Sequence, residues 1–203
     1  MKTPYLKLLL CLGLVGTASC AVDPKTPKTT SSLADTGMAS DAAGHTTMVF
    51  TSTDYMVYSL GTLDLDSRAL SDSLTALPGD ATVSALSDGR VYNLNRFGYD
   101  VLRIYEQGVW DAPVLELSLG DGTANPHDTV ICAGELYVSL YGDTIIKVLN
   151  SETGTVSGAV DLTDYAEGDD IAEVSALFCR GDRIFAVAQQ LDGSWHSDGG
   201  SVL

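Results

Sequence analysis

From Thr46 onward, short apolar runs alternate with turns that are rich in Gly, Asp, Asn and Ser. The runs have the length of β-strands and carry β-branched and aromatic residues, and none shows the 3.6-residue period of an amphipathic helix. They include Met48–Phe50, Arg90–Leu94, Val101–Tyr105, Val114–Leu117, Glu135–Leu140, Ile145–Leu149 and Arg183–Val187. The pattern predicts an all-β domain over residues 46–203.

The strand pattern repeats along the chain. The segment Gly89–Tyr92 recurs as Gly134–Tyr137 and Gly181–Phe185, so its final aromatic residues are 45 and 48 positions apart. A second marker recurs as Leu63–Ser67, Leu102–Glu106 and Ile146–Asn150, at intervals of 39 and 44. Two interleaved markers at this period are typical of a β-propeller with one four-stranded blade per repeat. A β-sandwich is the second interpretation, because it would not show this long-range register.

The repeat also predicts packing and blade number. Because Tyr92, Tyr137 and Phe185 occupy equivalent positions, we expect them to pack between blades rather than to form a recognition stripe. At roughly 45 residues per blade, residues 46–203 correspond to about three and a half blades. We therefore expect a partial propeller that belongs to a longer sequence. The alternative is a closed four-blade ring in which Met48–Phe50 completes the last blade.

The first residues have the layout of a secretory signal. Lys2 and Lys7 precede the apolar run Leu8–Val15, which is followed by small residues up to Cys20. The apolar run is shorter than the ~20 residues that span a bilayer. Residues 1–19 are therefore predicted to be a signal peptide, and residues 20–45, which are polar and contain Pro, a flexible tether.

Ala18-Ser19-Cys20 resembles the bacterial lipobox, in which the cysteine becomes the lipidated first residue. This resemblance makes Cys20 the candidate lipidation site; the alternative is ordinary cleavage with an incidental cysteine. The residue after Cys20 is Ala21. In Gram-negative lipoproteins an aspartate at this position signals retention at the inner membrane. The resemblance thus implies an exported protein anchored by lipid at the outer membrane or cell surface.

The charge of the chain excludes one class of partner. All 27 acidic residues lie beyond Lys2 and Lys7, which leaves nine basic residues and a net charge of −18 after the predicted signal. Such a chain is repelled by phosphate backbones, and no cluster of Lys and Arg offers a local exception. We do not expect nucleic-acid binding. The simplest role of the acidity is solubility.

Several segments of residues 46–203 resemble the YVTN-type β-propellers of bacterial surface lipoproteins. Leu136–Ser139 and Val91–Asn95 resemble the strand that gives the family its name, and Val148–Gly154 resembles the strand and turn that follow it. Gly120–Asp128 resembles the segment leading into an innermost strand. The resemblance implies the fold, whereas function in such propellers is diverse.

Asn125, His127 and Asp128 are the candidate ligand-binding residues. In a propeller they would lie at the mouth of the central channel, where His and Asp could hold a polar ligand or a metal. With only three histidines in the chain, a complete metal site is not expected. The alternative is a turn in which Pro126 fixes the backbone while Asn and Asp bind nearby main-chain groups.

Two further sets of residues are candidate sites. The acidic stretch from Asp161 to Glu173 could bind calcium, but its spacing does not match an EF-hand loop, and a solvated loop is the simpler interpretation. Once the inserted residue is allowed for, Cys132 and Cys179 are expected to occupy equivalent positions in adjacent repeats. An exported compartment permits a disulfide between them, and two buried thiols are the alternative.

No nucleophile elbow, P-loop or dinucleotide fingerprint occurs, so no catalytic residue, metal or cofactor is predicted. The sequence favours a non-enzymatic surface lipoprotein whose propeller binds an unidentified protein or glycan. The alternative is an enzyme, a lyase or a quinoprotein-like dehydrogenase, with its site at the channel mouth near His127.

Overall fold

The computed structural model describes residues 47–86, 88–166, 169–196 and 201–203. The predicted signal peptide, the predicted tether and Cys20 lie outside these residues. None of the helical turns described is long and apolar enough to cross a membrane.

The described residues form an all-β domain of short antiparallel sheets, as the sequence predicted. The strands are β1 (Thr47–Thr53), β2 (Val57–Asp64), β3 (Leu70–Pro78), β4 (Ala81–Ala85), β5 (Arg90–Asn95), β6 (Val101–Glu106), β7 (Leu115–Ser118), β8 (Pro126–Cys132), β9 (Glu135–Leu140), β10 (Ile145–Leu149), β11 (Val156–Asp161), β12 (Val174–Arg180), β13 (Arg183–Ala188) and β14 (Ser201–Val202). A 3-10 turn, Thr163–Tyr165, precedes β12.

These strands form four propeller blades, which we number along the chain. Blade 1 is β1-β2-β3, blade 2 is β4-β5-β6-β7, blade 3 is β8-β9-β10-β11 and blade 4 is β12-β13-β14. Each repeated marker in the sequence falls on or at the end of equivalent strands: the first on β5, β9 and β13, and the second on β6 and β10 and across the end of β2. The prediction of a partial propeller with about three and a half blades is therefore confirmed.

The described part of blade 1 starts with the second strand of the blade pattern. The β1–β2 loop contacts the connection into the next blade, since Gly79 N donates to Met56 O at 2.8 Å. The β5–β6 loop does the same, since Gly98 N donates to Gly122 O at 3.1 Å. The strand with Met48–Phe50 thus pairs with β2 in its own blade. The alternative in which it completes the last blade is wrong.

Each pair of adjacent blades encloses a hydrophobic cluster of described residues. Leu60 of blade 1 packs with Val91 and Tyr105 of blade 2. Tyr92 and Leu102 of blade 2 pack with residues of blade 3, and Ile146 of blade 3 packs with residues of blade 4. The core is therefore divided among the interfaces between neighbouring blades, as expected for a propeller.

The aromatic marker behaves as predicted in two blades and differently in the third. Tyr92 is fully buried and Tyr137 is partly buried, each against the following blade. Phe185 of blade 4 is 37% exposed. The prediction that Phe185 packs between blades is wrong. Tyr92 and Tyr137 pack against the following blade, and no described sheet follows blade 4 on that side.

A disulfide joins the innermost strands of blades 3 and 4. The Cα atoms of Cys132 and Cys179 lie 5.5 Å apart, within the range that a disulfide requires. The two positions are not equivalent in the repeat, because Cys132 pairs with Glu135 whereas Cys179 pairs with Ile184, one residue further from its hairpin turn. This offset places both cysteines at one height on neighbouring strands.

We predict that this disulfide forms under oxidising conditions and stabilises blade 4. Denatured protein should bind two more equivalents of a maleimide after reduction than before it. Replacing both cysteines with serine should lower the free energy of unfolding by about 2–4 kcal/mol, the usual contribution of such a bond. Equal labelling with and without reductant would contradict the bond.

Candidate functional site

The candidate site lies on one face of the blades, which we call the mouth face. It is the side on which β4, β8 and β12 begin and β5, β9 and β13 end. Its described segments are 54–56, 79–80, 96–100, 119–125, 141–144, 162–166, 169–173 and 189–196. The predicted candidates Asn125 and His127 lie here, at the start of β8.

The buried carboxylate of Asp100 organises the segment that carries Asn125. It accepts hydrogen bonds from the main-chain N–H groups of Gly122, Ala124 and Asn125 at 2.8, 2.8 and 3.0 Å. The neighbouring β9–β10 loop packs tightly on this segment, because a Cβ atom at Gly142 would lie 2.3 Å from Thr123 O. Both contacts fix the main chain just before His127.

The imidazole of His127 spans blades 3 and 4 and is neutral. Its Nδ1 lies 2.9 Å from Ser175 O. Because a carbonyl oxygen only accepts, Nδ1 carries the proton and Nε2 carries the lone pair. Burial and, to a smaller extent, the nearby Arg96 charge lower the pKa of His127 to about 4, although the hydrogen bond to Ser175 opposes this shift. The ring also stacks on Tyr141, with centroids 5.1 Å apart.

Asp128 takes a structural position rather than a place on the mouth face. Its Oδ2 accepts from Leu177 N of β12 at 2.8 Å, and its Oδ1 accepts from Thr129 N at 2.8 Å and from Ser84 Oγ of β4 at 3.2 Å. Burial raises the pKa of this carboxyl, while the three hydrogen bonds oppose the rise. Its oxygens are committed to the blades on either side, so it is not positioned to hold a ligand.

Asn125 contributes to a polar group that sequence reasoning missed. Its Oδ1 accepts from Arg96 Nε at 3.1 Å, and Arg96 Nη1 lies 3.4 Å from the buried Asp80 carboxylate. Asp80, Asn125 and Glu173 are equivalent residues, each immediately before an innermost strand. Each also accepts a main-chain hydrogen bond at its carbonyl, from Arg96, Tyr141 and Gln189 respectively.

Tyr141 and Glu173 extend the polar group toward blade 4. Tyr141 Oη donates to Gln189 Oε1 at 2.6 Å, and Glu173 Oε2 accepts from Leu191 N at 2.9 Å. Burial raises the pKa of both side chains. The mouth face therefore has a hydrogen-bonded polar centre that links three blades, with Arg96 as its positive charge.

The described residues contain no group of three or more His, Cys, Asp and Glu side chains placed to hold a metal ion. The acidic residues from Asp161 to Glu173 do not converge on one site, because Glu173 is buried in the polar centre while Asp161 and Asp164 are exposed.

One sequence signal could have revealed the loops that carry Arg96 and Tyr141. An aromatic residue followed by glycine recurs in loops after second strands, as Phe97-Gly98 and Tyr141-Gly142.

Comparison with solved structures identifies β-propeller proteins. A streptogramin B lyase structure superposes with a TM-score of 0.54 at 13% identity, covering 82% of this chain and 53% of that one. A protein of unknown function from Bacteroides caccae gives 0.49 at 12% identity, covering 75% and 54%. AztD from Citrobacter koseri gives 0.42 at 16% identity, covering 77% and 44%.

At 13% identity, the likeness to the streptogramin B lyase structure shows the fold alone. The chain spans about half the length of the structures that it matches. No family model matches the chain, and no curated protein matches it.

The lowered pKa of His127 predicts a pH dependence of stability. Its pKa is about 4 in the folded protein and 6.5 ordinarily, so the unfolded chain takes up this proton first as the pH falls. The free energy of unfolding should therefore decrease from about pH 6.5 toward pH 4 through this group. Urea unfolding across this range should show a shallower dependence in His127→Gln than in the wild type. Identical pH slopes in the two proteins would contradict the assignment.

Proposed function

We propose that this chain is an exported, lipid-anchored surface protein of the YVTN-type propeller class that binds a protein or glycan at its mouth face. The observation that carries the proposal is the polar centre of Asp80, Arg96, Asn125, Tyr141 and Glu173, together with the adjoining His127 ring. Convergent polar groups beside apolar side chains are typical of binding sites.

The aromatic side chains around this centre also support binding. Tyr55, Phe97 and Tyr99 are exposed on loops of the mouth face. Large aromatic residues supply most of the contact area at recognition surfaces, and exposing them to water without a partner is unfavourable. A ligand that covers the polar centre would also cover these rings.

An enzymatic role with His127 as the general base has weaker support. A general base is most effective when its pKa lies near the working pH. The pKa of His127 is about 4. Its ring is held by Ser175 O and Tyr141, which favours a fixed hydrogen-bond acceptor at Nε2 over a proton carrier.

The binding role predicts that mouth-face variants lose ligand. Wild type, Phe97→Ser and Phe178→Ser should be compared on a glycan array and on immobilised outer-membrane proteins. Both phenylalanines are exposed, but Phe178 lies on the lateral face of blade 4. We expect a loss on the order of tenfold in affinity for Phe97→Ser, as for a moderate hot spot, and little change for Phe178→Ser. The reverse order would place the binding surface elsewhere.

The anchoring role predicts that Cys20 is acylated. Labelled palmitate should enter the wild type and not Cys20→Ser. Cys11→Ser is the matched control, because it removes a cysteine from the apolar part of the predicted signal. Labelling of Cys20→Ser at the wild-type level would show that the lipobox resemblance is incidental.

A further inference from the structure

The exposed aromatic residues concentrate on the mouth face. Tyr55 is 73% exposed, Phe97 53%, Tyr99 42% and Trp195 71%. They lie in the β1–β2, β5–β6 and β13–β14 loops, and the half-buried Tyr141 occupies the β9–β10 loop. Equivalent loops of all four described blades therefore present an aromatic ring on the same side.

Few described aromatic side chains are exposed elsewhere. Phe178 and Phe185 form a pair on the lateral face of blade 4, and Trp110, at the opposite side of blade 2, packs against Tyr105. Met56 adds a further exposed apolar side chain beside Tyr55. Tyr, Trp, Phe and Met are the residues enriched at protein–protein interfaces, so this distribution favours a protein partner.

Arginine side chains are unevenly distributed between the two faces, whereas carboxylates occur on both. Among the described mouth-face segments, Arg96 is the only Arg or Lys residue, and Lys147 of β10 also reaches this face, because its Nζ donates to Leu119 O. Arg68, Arg90, Arg180 and Arg183 lie at the opposite face, in or beside its turns. Exposed carboxylates lie in the loops and blade connections of the mouth face: Asp54, Asp121, Asp164, Asp170 and Asp192.

Arg96 does not make the mouth face basic, because its charge is already paired. It is paired with Asp80, and its guanidinium carbon lies 4.8 Å from the centroid of the Phe97 ring. The face thus already holds one cation by a carboxylate and an aromatic ring. A partner's Arg or Lys could be held by the same two kinds of group, since cation–π contacts and carboxylates act together on a guanidinium.

We infer that the mouth face docks a basic protein segment, whose Arg and Lys side chains stack on Tyr55, Phe97, Tyr99 and Trp195 between the surrounding carboxylates. This inference rests on the proposed binding function and names its partner class. Electrostatic complementarity of this kind accelerates association and selects against acidic partners.

The test uses a short synthetic peptide in which Arg and Lys alternate with Gly and Ser, and a second peptide with Glu at the basic positions. Affinity is measured by fluorescence anisotropy for the wild type, for Tyr55→Ser/Trp195→Ser and for Phe178→Ser/Phe185→Ser. Both double variants remove two exposed aromatic rings without changing charge. Circular dichroism confirms that each variant is folded.

The basic peptide should bind the wild type and the Phe178/Phe185 variant alike, and about tenfold more weakly to the Tyr55/Trp195 variant, the size expected for two cation–π contacts. The Glu peptide should not bind. Binding should weaken as salt rises from about 50 to about 500 mM, because the carboxylates are exposed. A second pair, Asp164→Asn against Asp182→Asn on the opposite face, should show a loss only for Asp164→Asn.

Equal affinity of the basic peptide for both aromatic variants would overturn the inference, because it would reflect the net charge of the chain alone. If the Phe97→Ser variant still loses a ligand from the array or the membrane-protein fraction in that case, the mouth face binds, but its ligand is not a basic segment. If neither experiment distinguishes the mouth face from blade 4, the proposed function fails as well.

Discussion

The innermost strands of neighbouring blades are joined by side chains, and the arrangement of the mouth face depends on these contacts. No backbone ladder connects β4, β8 and β12 in the described residues. Instead, Thr82 Oγ1 donates to His127 O at 2.8 Å, His127 Nδ1 donates to Ser175 O, and Asp128 accepts from Leu177 N. Each contact pairs a side chain with the main chain of the next blade, so it fixes both the spacing and the height of the strands.

This constraint explains why polar residues are buried at the centre of an otherwise apolar packing arrangement. A buried carboxylate is stabilised only where hydrogen bonds replace its hydration, as for Asp100 and Asp128. The bonds of Asp100 then hold the segment before β8, and those of Glu173 hold the segment after β13. The loops that present Phe97, Tyr141 and Trp195 are therefore anchored on a rigid base, which reduces the entropy lost on binding.

The fold could be predicted because each blade repeats its own local pattern. The residues next to Tyr92 and Tyr137 are enough to predict a strand and the turn before it. The repeat then predicts that both rings pack against the next blade. The exposure of Phe185 could not be predicted in this way, since burial depends on a neighbouring sheet and not on the residue itself.

The site was predicted only in part, because its contacts cross between blades. Asn125 and His127 lie just before and at the start of the innermost strand β8, and their role in ligand binding stays a prediction. The role of Asp128 depends on Ser84 and Leu177, which lie 44 and 49 residues away. Arg96 meets Asn125 across 29 residues, and no local motif marks that pairing. The sequence alone also does not show that the exposed aromatic residues share one face, because that depends on how the loops are arranged in the fold.

The central claim is that the mouth face is preformed by buried side-chain to main-chain hydrogen bonds. Amide hydrogen exchange of the ligand-free protein tests it most directly, at Gly122, Ala124 and Asn125, whose N–H groups bind Asp100. We predict slow exchange at these loop amides in the wild type and in Asp121→Ala, an exposed neighbour in the same segment, and fast exchange in Asp100→Ala. Fast exchange of these amides in the wild type would contradict the account.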